Sequence, residues 1–539
     1  MNGRRAAISG LLLAVTLTAV AYRHLPAGYF LHDDWDWLEL AARAQTRPGL
    51  LLEPHMEPFN YRVFRPIPLG LVSAVYTGAG LESAPYTAVS LGLHLATVCL
   101  VWLLAGRLGL SPLGRAVATG LFGLNWGHRE ALFGIAIVQV LLCTFFSVAA
   151  AIFWISYVDG GGRRWLLATA GSALLALLSK EQMVMLPAML AALAYARTGR
   201  ARHSWAAALL WLPMAPILAV IMHGRADDPL LASYVYAPGA QMPENLLSAL
   251  TGLVLPPLAH TASAPGLREH LPHALSVETW IWTARGTVLA AALAAAWRGT
   301  PLVRAALAWA VFASLPITPF IYPPASRYLY LPFVGAALLG GLAIDSVRAS
   351  AWPRWVGATA LAAILAWGTG NLMALRISVD RIVERGARIQ SVLHAVRDLV
   401  PDPPPGTTVY LLHTPSPEFN LSKERVGRAF RLVYGEGMRV EERPPDSWAA
   451  LPPPAPGRVY VVLNEVSADG RTAGARLINR PSQPPWREKY RARLRRAAAA
   501  ARAASAPVLR PHPCTASASA QNQEAHPAPA SRQHRSTSS

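Results

Sequence analysis

Apolar runs recur about eleven times between residues 6 and 374, joined by short polar turns except for longer loops over 23–85 and 224–276. They fall near 6–22, 86–106, 112–126, 131–158, 164–179, 182–197, 204–223, 277–297, 302–321, 328–347 and 354–374. Crossing about 30 Å of hydrocarbon takes about 20 helical residues, so the ends of the shorter runs are the open point. The pattern predicts an all-α polytopic membrane protein with about 11 transmembrane helices. Residues 66–80 are apolar but shorter, and are expected to form an interfacial or re-entrant helix. The pattern changes after residue 374: 376–400 reads as an amphipathic helix and 401–405 as a Pro-rich linker. Residues 407–412 and 458–463 are strand-like, rich in β-branched and aromatic side chains. The predicted organisation is a transmembrane domain over 1–374, a small C-terminal extracytoplasmic α/β domain over 375–486, and a disordered basic, low-complexity tail over 487–539. No solenoid-type repeat is present.

Loop charge orients these runs. Arg4, Arg5, Arg107, Arg115, Arg163, Arg164, Arg197, Arg200, Arg202, Arg298, Arg304, Arg348 and Arg354 all fall on one side of the count, which the positive-inside rule makes cytoplasmic. The N-terminus is then cytoplasmic, and an odd number of spans carries the C-terminal domain outside. The first run follows Arg4 and Arg5 without a small-x-small cleavage site before residue 31, as expected of an uncleaved anchor.

Composition sharpens this. The chain is 53% hydrophobic and 15% charged, against about a quarter charged in soluble domains. The net charge of +19 is explained by cytoplasmic arginines and the basic tail; no nucleic-acid motif accompanies it, so nucleic acid is not an expected partner. The three cysteines are scattered, without metal-ligand spacing, and no phosphate loop is present to support a nucleotide-driven pump. Ala, Arg and Pro usage suggests a GC-rich bacterial genome, hence a multi-pass protein of the inner (plasma) membrane.

The unusual polar residues gather on the outer face. Behind the first run stand Asp33, Asp34, Asp36 and Glu39, with Trp35 and Trp37 between them. Asp33 or Asp34 could accept a proton from an attacking hydroxyl or amide, or the pair could hold a divalent cation; a solvated acidic loop is the plain alternative. The i, i+3 spacing is expected to turn Asp36 and Glu39 away from Asp33. Arg62 and Arg65 follow, open to phosphate clamping or to snorkelling from a helix end. His128 and Glu130 stand two apart in a tight outer turn, where both could face a cavity. Lys180 could pair with neighbouring Glu181 or meet a phosphate, and Arg327 carries the same two options as Arg62 and Arg65. Ionisable groups near a bilayer are costly to place, so convergence on one face points to a site.

Taken in order, these motifs resemble the GT-C superfamily of membrane glycosyltransferases. The motifs are the acid pair after the first span, Tyr61-Arg62 with Arg65-Pro66, Trp126-Gly127-His128-Arg129-Glu130, Ser179-Lys180-Glu181, and Ser326-Arg327-Tyr328 through Pro332. The nearest likeness is to the protein O-mannosyltransferase branch, especially its tetratricopeptide-bearing members, over residues 6–374. The resemblance implies inverting transfer of a hexosyl or pentosyl group from a polyprenyl-phosphate donor on the extracytoplasmic side. It implies Asp33 or Asp34 as general base, His128 and Glu130 lining the acceptor or metal side, and Lys180 and Arg327, with Arg62 and Arg65, meeting the donor phosphate. A divalent cation (Mg or Mn) on Asp34 and Glu130 stays open. Three features depart from the branch: Val63 and Phe64 interrupt the tyrosine–arginine–proline motif, glycine precedes His128 where proline is usual, and no tetratricopeptide array follows. The acceptor (glycan, lipid or protein) is therefore not implied. A flippase or transporter of lipid-linked saccharides ranks below, since the charges gather at one face rather than in matched halves. A polymerase or ligase would depend more on Arg225 and Arg268.

Overall fold

A computed structural model of the chain describes residues 2–54, 64–226, 238–254, 277–321, 325–349, 353–399, 406–412, 425–435, 438–443, 458–464 and 474–477. It is mostly helical. The helices in the apolar part of the sequence are α1 (Asn2–Ala21), α4 (Ser83–Arg107), α5 (Pro112–Gly123), α7 (Val138–Val158), α8 (Arg163–Ser179), α9 (Leu186–Thr198), α10 (Ala201–Ala208), α11 (Trp211–Ala226), α13 (Val277–Arg298), α14 (Pro301–Ser314), α15 (Pro332–Ala349) and α16 (Arg354–Leu399). Between them lie α2 (Asp34–Thr46), α3 (Pro66–Ala79), α6 (Arg129–Phe133) and α12 (Gln241–Val254). Local chemistry fixes several ends. Ser111 caps α5 by accepting from the Gly114 amide, with Pro112 in the first turn, and Thr300 caps α14 ahead of Pro301 in the same way. Gly199, at φ 65, closes α9 in the left-handed conformation that glycine adopts without steric cost.

Among the described residues, six helices are long and apolar enough to cross a membrane: Ile8–Ala27, Ser83–Arg107, Ile135–Val158, Ala201–Ile221, Pro332–Ala349 and Trp355–Asp398. Central α7 is buried on nearly every face and packs against α4, α8 and α9. α15 sits tightly on two neighbours because it presents glycine there. A Cβ at Gly335 would stand 2.5 Å from the Ala306 carbonyl, and one at Gly341 2.5 Å from that of Gly114. Small residues of this kind let helix backbones approach in lipid. The outward faces are apolar: Leu12, Leu13 and Leu17 on α1, Trp282, Leu293 and Trp297 on α13, and Leu361 and Leu365 on α16 are exposed. A helix bundle with a buried core and an apolar exterior has lipid as its solvent, so this is a multi-pass membrane protein.

The amphipathic stretch expected after residue 375 does not begin a new element. α16 runs unbroken for 46 residues through that position. Beyond it, β1 (Thr408–Leu412), β2 (Arg439–Arg443), β3 (Arg458–Asn464) and β4 (Gly474–Leu477) form one sheet in the order β2-β1-β3-β4. β1 pairs parallel with β2 and β3, while β3 and β4 are antiparallel. Central β1 is an almost wholly buried apolar run, as a strand covered on both faces requires. A short helix, α17 (Val426–Tyr434), connects β1 to β2. Residues 480–539 lie outside the described residues.

Candidate active site

The acids of α2 divide into two sets. Asp33, Asp36 and Glu39 lie on one face, because three-residue steps on a 3.6-residue turn keep side chains aligned; Asp36 and Glu39 do not turn away from Asp33. Asp34 faces the other way. It is buried, and its carboxylate accepts the Leu31 amide at 2.9 Å and the Ala136 amide at 2.9 Å. It thereby ties the start of α2 to the turn Ile135–Ile137. Burial pushes its carboxyl up to about 7, against the Ala136 and Leu31 amides, which favour the charged form. Asp33 is half exposed and sits within electrostatic reach of Arg327.

Arg327 and Lys180 converge on one ring. The Lys180 ammonium lies 5.0 Å from the centroid of Tyr328, and the Arg327 guanidinium 5.2 Å from the same centroid. Lys180 follows the last residue of α8, and the side chain of Gln182 fixes the turn after it by donating to the carbonyls of Tyr328 and Ala313, each at 3.0 Å. Among the described residues the Lys180 ammonium makes no ion pair and no hydrogen bond, although the residue is only 5% exposed. Burial, followed by the charge of Arg65, lowers its pKa to about 7. Adjacent Glu181 acts on it electrostatically in the opposite sense but forms no ion pair with it among the described residues. Glu181 takes a two-pronged bond from Arg65, at 3.0 Å to Nε and 2.7 Å to Nη2. Arg65, at the head of α3, is itself buried.

Glu130 closes the cluster. Its carboxylate accepts the Arg327 backbone amide at 3.3 Å and lies 3.9 Å from the Arg327 guanidinium. Arg129 approaches it at 3.5 Å while stacking over Trp126, 3.2 Å from the ring centroid. The turn that carries these residues is held to α16: the Trp126 amide donates to Asn371, and its indole donates to Ser378 and to the Ala374 carbonyl.

His128 does not join Glu130. It is buried in an aromatic box of His94, Phe122, Tyr330 and Phe333, with ring centroids 4.4 Å from Tyr330. Neither of its ring nitrogens makes a well-formed hydrogen bond among the described residues. Burial, then neighbouring His94, holds its pKa well below the usual histidine range. Of the residues singled out from the sequence, the structure therefore brings together Asp33, Glu130, Lys180, Arg327 and Arg65. It sets Asp34 and His128 in packed interior positions. Arg62 lies outside the described residues, as do Arg268 and the loop 227–237; Arg225 lies at the end of α11.

The donor set does not suit a hard cation. Both Asp34 oxygens accept amides, Glu130 faces two guanidinium groups, and no group of three metal-ligating side chains is present among the described residues. Sequence reasoning missed Gln182 and Asn371, and gave no role to Trp126 and Tyr328 although both stand within its motifs. Tyr328 could have been found, since an aromatic directly after an arginine at a helix-end turn is a place for cations to stack.

No family model matches the sequence, nor does any curated protein. Among solved structures the chain is similar to ArnT from Cupriavidus metallidurans bound to undecaprenyl phosphate, at 12% identity and a TM-score of 0.48, covering 84% of this chain and 92% of that one. It is also similar to the archaeal oligosaccharyltransferase AglB from Archaeoglobus fulgidus in complex with an inhibitory peptide and a dolichol-phosphate. That match has 12% identity and a TM-score of 0.43, with 80% and 64% of the two chains covered. The apo form of an Archaeoglobus fulgidus oligosaccharyltransferase matches at 13% identity and a TM-score of 0.44, over 81% and 64%. At such scores the likenesses carry no functional weight, and the residues must do so.

Proposed function

We propose that the chain is an integral-membrane glycosyltransferase of GT-C type. It moves a hexosyl or pentosyl group from a polyprenyl-phosphate carrier to a glycan, lipid or protein acceptor on the extracytoplasmic face, with inversion. The observation that carries this is the pair of cations on Tyr328: a buried ammonium that forms no ion pair among the described residues and a guanidinium beside it, the latter within electrostatic reach of Asp33 ahead of α2. A buried lysine held unpaired is destabilising, and the departing phosphate of a lipid carrier is a partner that would relieve it.

The chemistry follows from that placement. Asp33 takes the proton of the acceptor hydroxyl or amide as that atom attacks the anomeric carbon from the side opposite the carrier. The carbon–oxygen bond to phosphate breaks, and its electron pair leaves with polyprenyl phosphate, which gains a second negative charge. Lys180 and Arg327 meet that charge where it develops, and this accelerates the step rather than merely tightening binding. Arg65 holds Glu181 away from Lys180, leaving the ammonium for the donor; Glu130 orients Arg327. Asp34 fixes the loop on which Asp33 stands. His128 supports the turn bearing Glu130. The resemblance to the O-mannosyltransferase branch favours a mannose-like hexose. About eleven spans, a cytoplasmic N-terminus, an outer α/β domain beyond α16 to residue 486 and a basic tail over 487–539 belong to the same proposal.

The test is transfer of labelled sugar from a set of synthetic polyprenyl-phosphate donors by membranes carrying the wild type, Asp33→Asn, Asp34→Asn or Lys180→Met. Loss in Asp33→Asn and Lys180→Met supports the assignment. Unimpaired transfer in both aspartate variants would sink it. No label moved by the wild type, together with a positive flipping assay, would replace the enzyme with a lipid-saccharide flippase.

A further inference from the structure

A second set of charges meets α2 away from the cation pair. Asp33, Asp36 and Glu39 recur every three residues along one face of α2, and Arg425, Arg428 and Arg431 recur at the same interval on α17. They pair in register. Arg425 reaches Asp33 at 3.1 Å and also contacts Asp36; Arg428 contacts Asp36; Arg431 reaches Glu39 at 3.3 Å. Arg43, a turn along α2, holds the other Glu39 oxygen at 2.8 Å. The opposite face of α17 is apolar, with Val426, Ala429 and Phe430 buried, so the helix cannot roll to release its arginines without exposing them.

The pairs are not equivalent. Asp36 is fully buried and Glu39 nearly so, and their partners are sufficient to dock the two helices. Asp33 is half exposed and does not need a partner for stability, yet Arg425 bridges it to Asp36. Arg425 does so from a left-handed backbone, φ 57, which a long unbranched side chain seldom adopts. Strain retained at one residue whose side chain touches a candidate catalytic acid points to function. A second contact holds the same loop: Gly386 of α16 lies so close that a Cβ there would be 2.8 Å from the Tyr29 amide nitrogen.

We infer that α17 is a latch on the first outer loop and that Arg425 is a positioning residue, fixing where Asp33 stands relative to Arg327. The C-terminal segment is then part of the active site. Its consequence for catalysis rests on the glycosyl-transfer proposal; the latch itself does not.

Two readouts separate them: hydrogen exchange of peptides from residues 31–46 in the purified full chain, and transfer kinetics with the donor set above. Arg425→Gln should raise exchange in the first turn of α2 and lower kcat about tenfold to a hundredfold, the loss expected from displacing a reacting group by about 1 Å, with KM within about twofold. Arg425→Lys should fall between it and the wild type. Arg431→Gln, which frees only the far end of α2, should raise exchange around Glu39 and leave kcat within about twofold. Wild-type kcat in Arg425→Gln or Arg425→Lys overturns the inference, as do equal losses in Arg425→Gln and Arg431→Gln, which would mean general loosening. If Arg425→Gln does not fold, Arg425→Lys against Arg431→Gln decides alone. If the wild type transfers nothing and a flipping assay is positive, the functional proposal fails, and exchange in α2 still decides the latch: unchanged exchange rejects it.

Discussion

Two charged regions flank the start of α2, and they treat charge in opposite ways. In the ladder between α2 and α17 each acid has an arginine, including Asp36, which is fully buried. Around Tyr328 a buried lysine makes no ion pair among the described residues, although Glu181 is its neighbour in sequence, and Arg65 of α3 binds that acid instead. Removing one member of a buried pair leaves the other uncompensated, so the ladder holds the fold together. An unpaired buried cation destabilises the fold and persists where it has a task. Pairing of the buried acids Asp36 and Glu39 marks architecture, whereas half-exposed Asp33 and the cations around Tyr328 mark the candidate chemistry.

The sharpest way to break this comparison is Lys180→Met. Transfer should fall by about 10²–10³, the scale of losing one donor to a developing oxyanion, while the thermal midpoint holds or rises because a buried charge is gone. Activity and midpoint falling together would make Lys180 an ordinary structural residue. Arg428→Ala should do the converse, destabilising the protein as read by denaturation in detergent, by less than the about 3–5 kcal/mol of a fully stranded charge because Arg425 still contacts Asp36. The isosteric double variant Asp36→Asn with Arg428→Gln should recover much of that loss.

A pH series sharpens the contrast further. Lys180, lowered to about 7, binds its proton less tightly in the fold than in the unfolded chain, so its contribution to stability is present above its ordinary range and is lost as pH falls towards 7. Asp34, raised to about 7, works the other way: its contribution is present at acid pH and is lost as pH rises from its ordinary range to 7. These two groups alone predict a stability minimum near neutrality, and Lys180→Met should abolish the rise on the alkaline side. In kinetics, kcat/KM should decline above about pH 7 as free-enzyme Lys180 loses its proton, whereas kcat should hold to higher pH because bound phosphate retains it. Coincident alkaline limbs would argue that Lys180 does not touch the donor. The smallest effect belongs to Trp126→Phe, which removes the indole bond to α16 and should cost about 1 kcal/mol of stability with little change in transfer.

Much of the scaffold was legible because hydrophobic period survives without an alignment. The apolar runs appear as helices, the apolar stretch after Arg65 is α3, and the strand-like runs are β1 and β3. The unbroken α16 was misjudged at residue 375 because hydropathy drops there; Ala374, Leu375 and Arg376 contain no helix breaker, and that was the better signal. The site was legible in its membership more than in its pairing. Adjacency suggested Lys180 with Glu181, but Arg65 lies 116 positions from that acid, and no spacing rule reaches so far. His128 carried polarity that suggested a cavity, yet its turn directs it into the aromatic box beneath. The ladder had a visible sign at both ends, charges at three-residue intervals on two amphipathic segments, and was missed because the two segments lie almost four hundred residues apart.

The measurement that tests the central claim most directly is release of labelled sugar from a polyprenyl-phosphate donor by purified wild type and Lys180→Met, with the thermal midpoint of each recorded in the same detergent. Transfer by the wild type, a loss of about 10²–10³ in the variant, and an equal or higher midpoint are the predicted result. Comparable transfer by the two proteins would contradict it, since the unpaired ammonium beneath Tyr328 would then have no part in the chemistry.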